Sequence, residues 1–326
     1  MNDMNGPRLA LVFPGQGAQQ PGMGRPWVGR PGWFLAERAS EVSGRDVQEL
    51  LLRADAEQLR RTDNAQLATF VLEMVILTEL RQALPAAGRP TVCAGHSLGE
   101  YAALVAAGVL GFADGVRLVT ARGEAMRAAC AARPGTMAVV LGLPAADLEQ
   151  AADEVRAEGG QVWVANLNSP QQTVLSGAAD GVARCAALAE ERGATRVVPI
   201  PVGGAFHTPL MAPAARSLTA TLARTELLHG FAPVVANVDA RPRRGADDWR
   251  ALLREQLTAP VRWTDSVRTM ADELHCDMFV EVGPGRTLTG LARKIAPQVS
   301  RLTVSEPGQL PAVPSPVPST PVRSVA

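Results

Sequence analysis

Five apolar residues in succession, Leu9-Ala10-Leu11-Val12-Phe13, end at Pro14, the pattern of a strand covered on both faces. A second such run, Thr91-Val92-Cys93-Ala94, ends at Gly95, and small or apolar residues from 101 to 110 then predict a helix. Between the two strands, residues 30–87 read as helical, with Thr62-Asp63-Asn64 predicting a cap before the apolar stretch 67–84. Residues 112–131 predict another helix, with Leu118, Val119, Ala125, Met126 and Ala129 on its apolar stripe. At Gly135 the pattern changes. Strand patterns at 137–143, 161–167, 172–175 and 195–202 interleave with helical patterns at 145–158 and 180–192. That order, βαββαβ, is the ferredoxin-like split unit. Buried strands alternating with helices then resume, with strands at 233–238 and 278–282, helices at 247–257 and 264–274, and a helix after Gly283-Pro284-Gly285.

The expected fold class is therefore α/β, with a small unit, 134–203, inserted into a larger one made of 1–133 and 204–305. A cleft is expected where the two meet. Residues 306–326 hold six prolines and read as an extended or disordered tail. Composition changes this picture little. The 32 basic residues balance 32 acidic ones, so no global field recruits nucleic acid or anionic membrane. No apolar run approaches the roughly 18 residues of a membrane helix, and the first residues carry no basic-then-apolar leader, so a cytoplasmic protein is expected. Cys93, Cys130, Cys185 and Cys276 are scattered along apolar runs without pairing, which predicts buried reduced thiols and no metal site. Lys294 is the single lysine, leaving arginine to meet whatever anions bind.

The chemistry concentrates at Gly95-His96-Ser97-Leu98-Gly99, a G-x-S-x-G run between strand and helix. Such a run either arises by chance or forms a nucleophile elbow, in which glycines permit a sharp turn that exposes the serine. The flanking strand and helix favour the elbow, with Ser97 as nucleophile in an α/β-hydrolase-like large unit. The first strand exits into Pro14-Gly15-Gln16-Gly17-Ala18-Gln19-Gln20. A dinucleotide fingerprint would need glycine at Gln20, so the loop is either an ordinary tight turn or a source of backbone N–H groups for an oxyanion. Arg122 falls on the apolar stripe of its helix, and a buried cation must meet either an internal carboxylate or that of a ligand. Of four histidines, His229 and His275 precede their strands and His96 is too close in the chain to turn back onto Ser97. His207, after the strand at 195–202, remains as general base. It lies too early for a late acid-then-histidine order, so a backbone carbonyl or an amide is expected to orient it.

Taken together, these stretches resemble the malonyl-CoA:acyl-carrier-protein transacylases of fatty-acid synthesis and the acyltransferase domains of polyketide synthases. The resemblance is carried by residues 13–19 and 95–101, Arg122-Gly123-Glu124-Ala125-Met126, Asn166-Leu167-Asn168-Ser169-Pro170, residues 204–211, Gln256-Leu257-Thr258-Ala259-Pro260-Val261 and residues 281–285. It spans nearly the whole chain. It implies that Ser97 carries the acyl ester, that His207 moves the proton, and that the N–H groups of Gln16 and Leu98 form the oxyanion hole. It further implies that Arg122 holds the malonyl carboxylate and that Gln256 positions histidine and substrate. Phe206, beside the histidine, and Leu98, after the serine, would favour malonyl over methylmalonyl.

The implied activity is ping-pong transfer of malonyl from coenzyme A to the phosphopantetheine thiol of an acyl carrier protein, in fatty-acid or polyketide synthesis. A monomer with no permanent cofactor is expected. The alternatives are an editing hydrolase or thioesterase of the same fold, an acyltransferase for another extender unit such as methylmalonyl, and a catalytically idle assembly protein.

Overall fold

The structure is a computed structural model and describes residues 7–311. It opens with β1, Leu9–Phe13, every residue of which is buried. Leu9, Leu11 and Phe13 face one hydrophobic core while Ala10 and Val12 face another, which is why the run shows no polar alternation. The segment expected to be helical over 30–87 is four helices: α1 Phe34–Ser43, α2 Val47–Leu52, α3 Ala56–Arg60 and α4 Thr62–Ala83. Gly44, left-handed at φ 67°, ends α1. Asp46 and Asp55 then accept from the backbone N–H groups of Glu49 and Gln58 and start α2 and α3. The cap expected at Thr62-Asp63-Asn64 is displaced: Arg61 is the N-cap, and the three polar residues form the first turn. Their side chains serve tertiary contacts, Thr62 Oγ1 donating to Gln16 Oε1, Asp63 pairing with Arg61, and Asn64 donating to the Gln58 carbonyl.

Next come β2, Val92–Gly95, and α5, Gly99–Ala106, shorter than the helix expected over 101–110 because Gly108 turns the chain at φ 77°. After α6, Phe112–Ala132, the chain enters β3 Thr136–Leu141, α7 Ala145–Ala157, β4 Val162–Ser169, β5 Gln172–Gly177, α8 Ala179–Glu191 and β6 Arg196–Ile200. These strands form a separate antiparallel sheet in the order β4-β5-β3-β6, closed by its own small core beneath α7 and α8.

A helix that the hydrophobic pattern did not predict follows, α9, Ala212–Arg224. The strand expected over 233–238 is only β7, Val234–Val235, because the N–H of Asn237 is taken by the Glu100 carboxylate. The chain continues through β8 Pro242–Arg243, α10 Trp249–Glu255, α11 Trp263–Arg268, β9 Met278–Val282, α12 Thr287–Ile295 and β10 Ser300–Val304. The helix expected over 264–274 thus ends its α-helical course at Arg268 and finishes as a π-helical turn, Thr269–Glu273. The expected extended tail begins with a 3₁₀ turn, Pro307–Gln309, and the part beyond residue 311 lies outside the described residues.

The main sheet runs β10-β9-β1-β2-β7-β8, parallel throughout except for β8, and is an α/β fold. The small sheet is stitched to it at β4. Leu167 N donates to the Val261 carbonyl at 2.9 Å, Val261 N donates to that of Ala165 at 2.9 Å, and Thr264 Oγ1 donates to that of Leu167 at 2.9 Å. This seam fixes the segment after α10 against the second sheet, at the carboxyl ends of β1 and β2.

Candidate active site

Phe13 pairs with Gly95, and His96 N donates to the Phe13 carbonyl, so β1 guides the chain into the turn that follows β2. Ser97 sits at the apex with φ 54°, a left-handed conformation that non-glycine residues adopt only under external restraint. The flanking glycines are required by space. A Cβ on Gly95 would lie 1.9 Å from the Gly99 backbone, and one on Gly99 would lie 2.1 Å from the Phe13 carbonyl oxygen. Gly99→Ala is therefore expected to cost about 3 kcal/mol or more, because backbone, not a flexible side chain, must yield. Thermal unfolding checks this, and an unchanged Tm would contradict the close approach.

His207, φ 60° and only 5 % exposed, follows β6 and faces Ser97 across the cleft. Its Nε2 lies 2.8 Å from Ser97 Oγ and its Nδ1 lies 2.8 Å from the backbone carbonyl of Gln256. That carbonyl accepts only, so Nδ1 carries the proton and Nε2 is the acceptor for the serine hydroxyl. Burial, reinforced by the neighbouring Arg122 cation, pushes the imidazole down to about 3, which keeps it in the basic form at neutral pH.

Arg122, on α6 and 1 % exposed, reaches the same serine. Its Nη2 donates to Ser97 Oγ and to Gln256 Oε1, each at 3.0 Å, and its Nη1 donates to Gln66 Oε1 at 2.5 Å. The guanidinium also lies 5.6 Å from the centre of the Tyr101 ring. Among the described residues it forms no ion pair, so of the two fates open to this cation the internal salt bridge is not realised. Burial lowers its pKa, but a guanidinium stays protonated.

Ser97 N–H is already engaged, donating to Asn237 Oδ1 at 2.7 Å. Among the described residues the N–H groups of Gln16 and Leu98 have no protein acceptor, which leaves them available to a ligand oxygen. Gly15 brings the Gln16 loop against the elbow, since a Cβ there would lie 2.5 Å from the His96 carbonyl oxygen. A cavity of about 610 Å³ opens over Ser97, His207 and Arg122, lined by Gln16, Phe206 and Met126 among others. Its walls come from strands of the small sheet on one side and from the loops that follow β1 and β2 on the other.

The expected site residues Ser97, His207, Arg122, Gln16 and Phe206 therefore line one cleft, and Gln256, fully buried, stands behind it against Arg122 and His207. Leu98 is different: its side chain is fully buried in the main core and does not line the cavity, so of its two expected roles only that of the unpartnered N–H stays open. His96 turns away from Ser97, as its position in the turn dictates, and bonds Asn168 Oδ1 at 2.9 Å across the seam formed by β4. His229 and His275 are exposed and do not line the cleft. Of the cysteines, all four are free and three are buried, but Cys130 is half-buried beside a side pocket next to Phe206. Sequence reasoning missed Gln66, Glu100 and Asn237. Glu100 sits one turn past the elbow and Asn237 lies in an apolar stretch, where a buried polar residue is itself a signal of a required partner.

Comparison with known proteins identifies the family. The profile of the family described as "Acyl transferase domain" matches residues 10–305. The malonyl CoA-acyl carrier protein transacylase of Bacillus subtilis (strain 168) is 40% identical over 306 residues, 92% of this chain and 94% of its own length. That of Escherichia coli (strain K12) is 38% identical over 309 residues, 94% of this chain and 98% of its own. The solved acyl carrier protein S-malonyltransferase of Vibrio cholerae superposes with a TM-score of 0.87 at 36% identity, over 93% of this chain and 98% of that one. A malonyl-transacylase solved in complex with its type II PKS acyl-carrier protein gives the same TM-score and identity, over 93% and 97%. A match of that extent, over nearly the whole of the described residues, settles the relationship: the chain belongs to the acyl transferase domain family.

Proposed function

We propose that this protein is a malonyl-CoA:acyl-carrier-protein S-malonyltransferase, acting by ping-pong transfer through an ester on Ser97 in fatty-acid or polyketide synthesis. The observation that carries the reading is Arg122: a buried guanidinium with no carboxylate partner among the described residues, 3.0 Å from the hydroxyl that would receive the acyl group. Such a cation suits an acyl chain that ends in its own carboxylate, which the fork can hold in a fixed, bidentate pairing.

In the first half-reaction His207 Nε2 takes the Ser97 proton as Oγ attacks the thioester carbonyl. Negative charge moves to the carbonyl oxygen, toward the N–H groups of Gln16 and Leu98. Collapse of the adduct breaks the C–S bond, and the imidazolium returns its proton to the coenzyme A sulfur. The second half-reaction reverses the roles: His207 deprotonates the phosphopantetheine thiol of the carrier protein, the thiolate attacks the ester, and Ser97 recovers its proton. The Gln256 carbonyl keeps the Nδ1 proton in place through both halves. It is a neutral orienting group, so the imidazolium gains less stabilisation than beside a carboxylate. Phe206 lines the cavity, and a bulky aromatic there would crowd an added methyl group, which favours malonyl over methylmalonyl.

Among the described residues no helix is long and apolar enough to cross a membrane. A cytoplasmic monomer that meets carrier protein and coenzyme A thioesters, without a resident cofactor, is the corresponding setting. The test is to mix the protein with equimolar malonyl-, methylmalonyl- and acetyl-CoA and weigh the covalent adduct. A malonyl ester that then passes to a phosphopantetheinylated carrier protein is expected. A dominant acetyl adduct, or release of free malonate faster than carrier loading, would overturn the assignment.

A further inference from the structure

Ser97 is held at both ends of its strained residue. Its N–H donates to Asn237 Oδ1 at 2.7 Å, and its carbonyl accepts from Gln256 Nε2 at 2.8 Å. Both holders lead to one side chain. Glu100, 1 % exposed, accepts from the backbone N–H of Asn237 through Oε1 at 2.7 Å and from Gln256 Nε2 through Oε2 at 2.5 Å. Asn237 Nδ2 completes the frame by donating to the Gly95 carbonyl at 2.7 Å.

The donors and acceptors leave one solution. Gln256 Nε2 faces two acceptors, so its Oε1 is left to face the Arg122 guanidinium, which only donates. The same residue's backbone carbonyl holds His207 Nδ1. Glu100 must accept at both oxygens, and among side chains of this length only an ionised carboxylate does so. A glutamine, or the protonated acid, would set an N–H or O–H against a donor already in place.

We infer that Glu100, as a carboxylate, is a positioning residue for acyl transfer: by accepting from Asn237 and Gln256 together it holds the Ser97 backbone and the Arg122 fork in their reactive arrangement. The inference deepens the proposed function and rests on Ser97 being the acyl acceptor.

The charged and titratable groups that face Glu100 are Arg122 from α6, Asp239 from the turn after β7, which is itself paired with Arg243, and the adjacent Tyr101. Its hydrogen-bonding partners Asn237 and Gln256 are neutral. Burial raises the Glu100 carboxyl to about 7, against the lowering effects of Asn237, Gln256 and Arg122. Because the pKa is raised, the carboxylate predominates above about pH 7 and is lost as the pH falls through that value. His207 stays neutral far below it. The acid limb of Ser97 reactivity therefore reports Glu100, not the general base.

The experiment measures two rates against pH in the full chain, from about pH 5 to 9. One is labelling of Ser97 by a serine-directed fluorophosphonate, which needs no knowledge of the acyl donor, and the other is the burst of coenzyme A from malonyl-CoA. In the wild-type protein both rates are expected to fall on the acid side of about pH 7. Glu100→Gln is expected to slow both about tenfold to a hundredfold at alkaline pH and to abolish the limb. Glu100→Asp should recover part of the rate together with the limb. A limb that persists unchanged in Glu100→Gln, or alkaline rates in a folded Glu100→Gln or Glu100→Asp equal to those of the wild type, would overturn the inference. If the fluorophosphonate profile follows Glu100 while malonyl-CoA gives no burst, the malonyl assignment fails and the positioning role stands.

Discussion

Ser97→Ala is expected to leave no malonyl adduct on the intact protein and to slow carrier loading by about 10⁴-fold or more. The size follows from what is lost. The chemistry is divided between an acyl ester and a proton carrier, and without the hydroxyl neither half-reaction has an intermediate. His207→Ala should cost nearly as much, because Oγ at 2.8 Å from Nε2 loses its only basic neighbour, and the double variant should be little worse than either single one. Mass measurement after mixing with malonyl-CoA checks the first variant, and pre-steady-state coenzyme A release checks the other two. An adduct that survives Ser97→Ala would place the nucleophile elsewhere and end the proposed mechanism. Both variants keep the elbow's backbone, so circular dichroism and thermal unfolding close to wild type should accompany the loss. The strain at Ser97 and His207, both with positive φ, is held by their neighbours and not by their side chains' reactions.

The sequence carried most of this, and the physical reason differs from element to element. The run Leu9–Phe13 was legible because a strand covered on both faces must be continuously apolar, and the βαββαβ order was legible because each small strand ends in its own turn residues. The elbow was legible because only glycine fits two positions to either side of Ser97, a requirement written directly in residue type. What escaped was whatever depended on a distant partner. Val234–Val235 was expected to continue to residue 238, but the N–H of Asn237 is claimed by Glu100, 137 positions before it in the chain. The polar start of α4 resembled a cap because Thr, Asp and Asn are capping residues, yet in the fold they meet Gln16, Arg61 and the Gln58 carbonyl. α9 was overlooked although it is amphipathic, since two of the four residues it buries, Ala214 and Ala215, are small and only Leu218 and Leu222 are large apolar side chains. Likewise Leu98 could be placed by its motif, but not the direction of its side chain, which the core takes. Spacing identifies which residues share an element; it does not reveal which hydrogen-bond donor a buried carboxylate will satisfy.

Arg122→Ala is expected to lower kcat/KM for malonyl-CoA by about two to three decades while leaving that for acetyl-CoA nearly unchanged, so that the preference between the two donors collapses. In the wild-type protein a bound acetyl group would leave the guanidinium buried with no carboxylate in contact, Glu100 being reached only through Gln256, a situation that costs about 3–5 kcal/mol, or roughly two to three decades in preference. The lower part of that range applies here, because Gln66 and Gln256 already satisfy two of the guanidinium's donor positions with neutral acceptors. The unpartnered Nε and the fork's reach to Ser97 Oγ are what a carboxylate would add to. Comparing the two donors within one variant is the decisive design, since any disturbance of Gln256, and through its carbonyl of His207, slows both reactions alike and cancels in the ratio. Arg122→Lys sharpens the reading further: it keeps the charge but not the fork, so it should restore only part of the preference. If the ratio of malonyl to acetyl transfer is the same in Arg122→Ala as in the wild type, the cation is a strut for Gln66 and Gln256 and the acidic acyl group is recognised elsewhere.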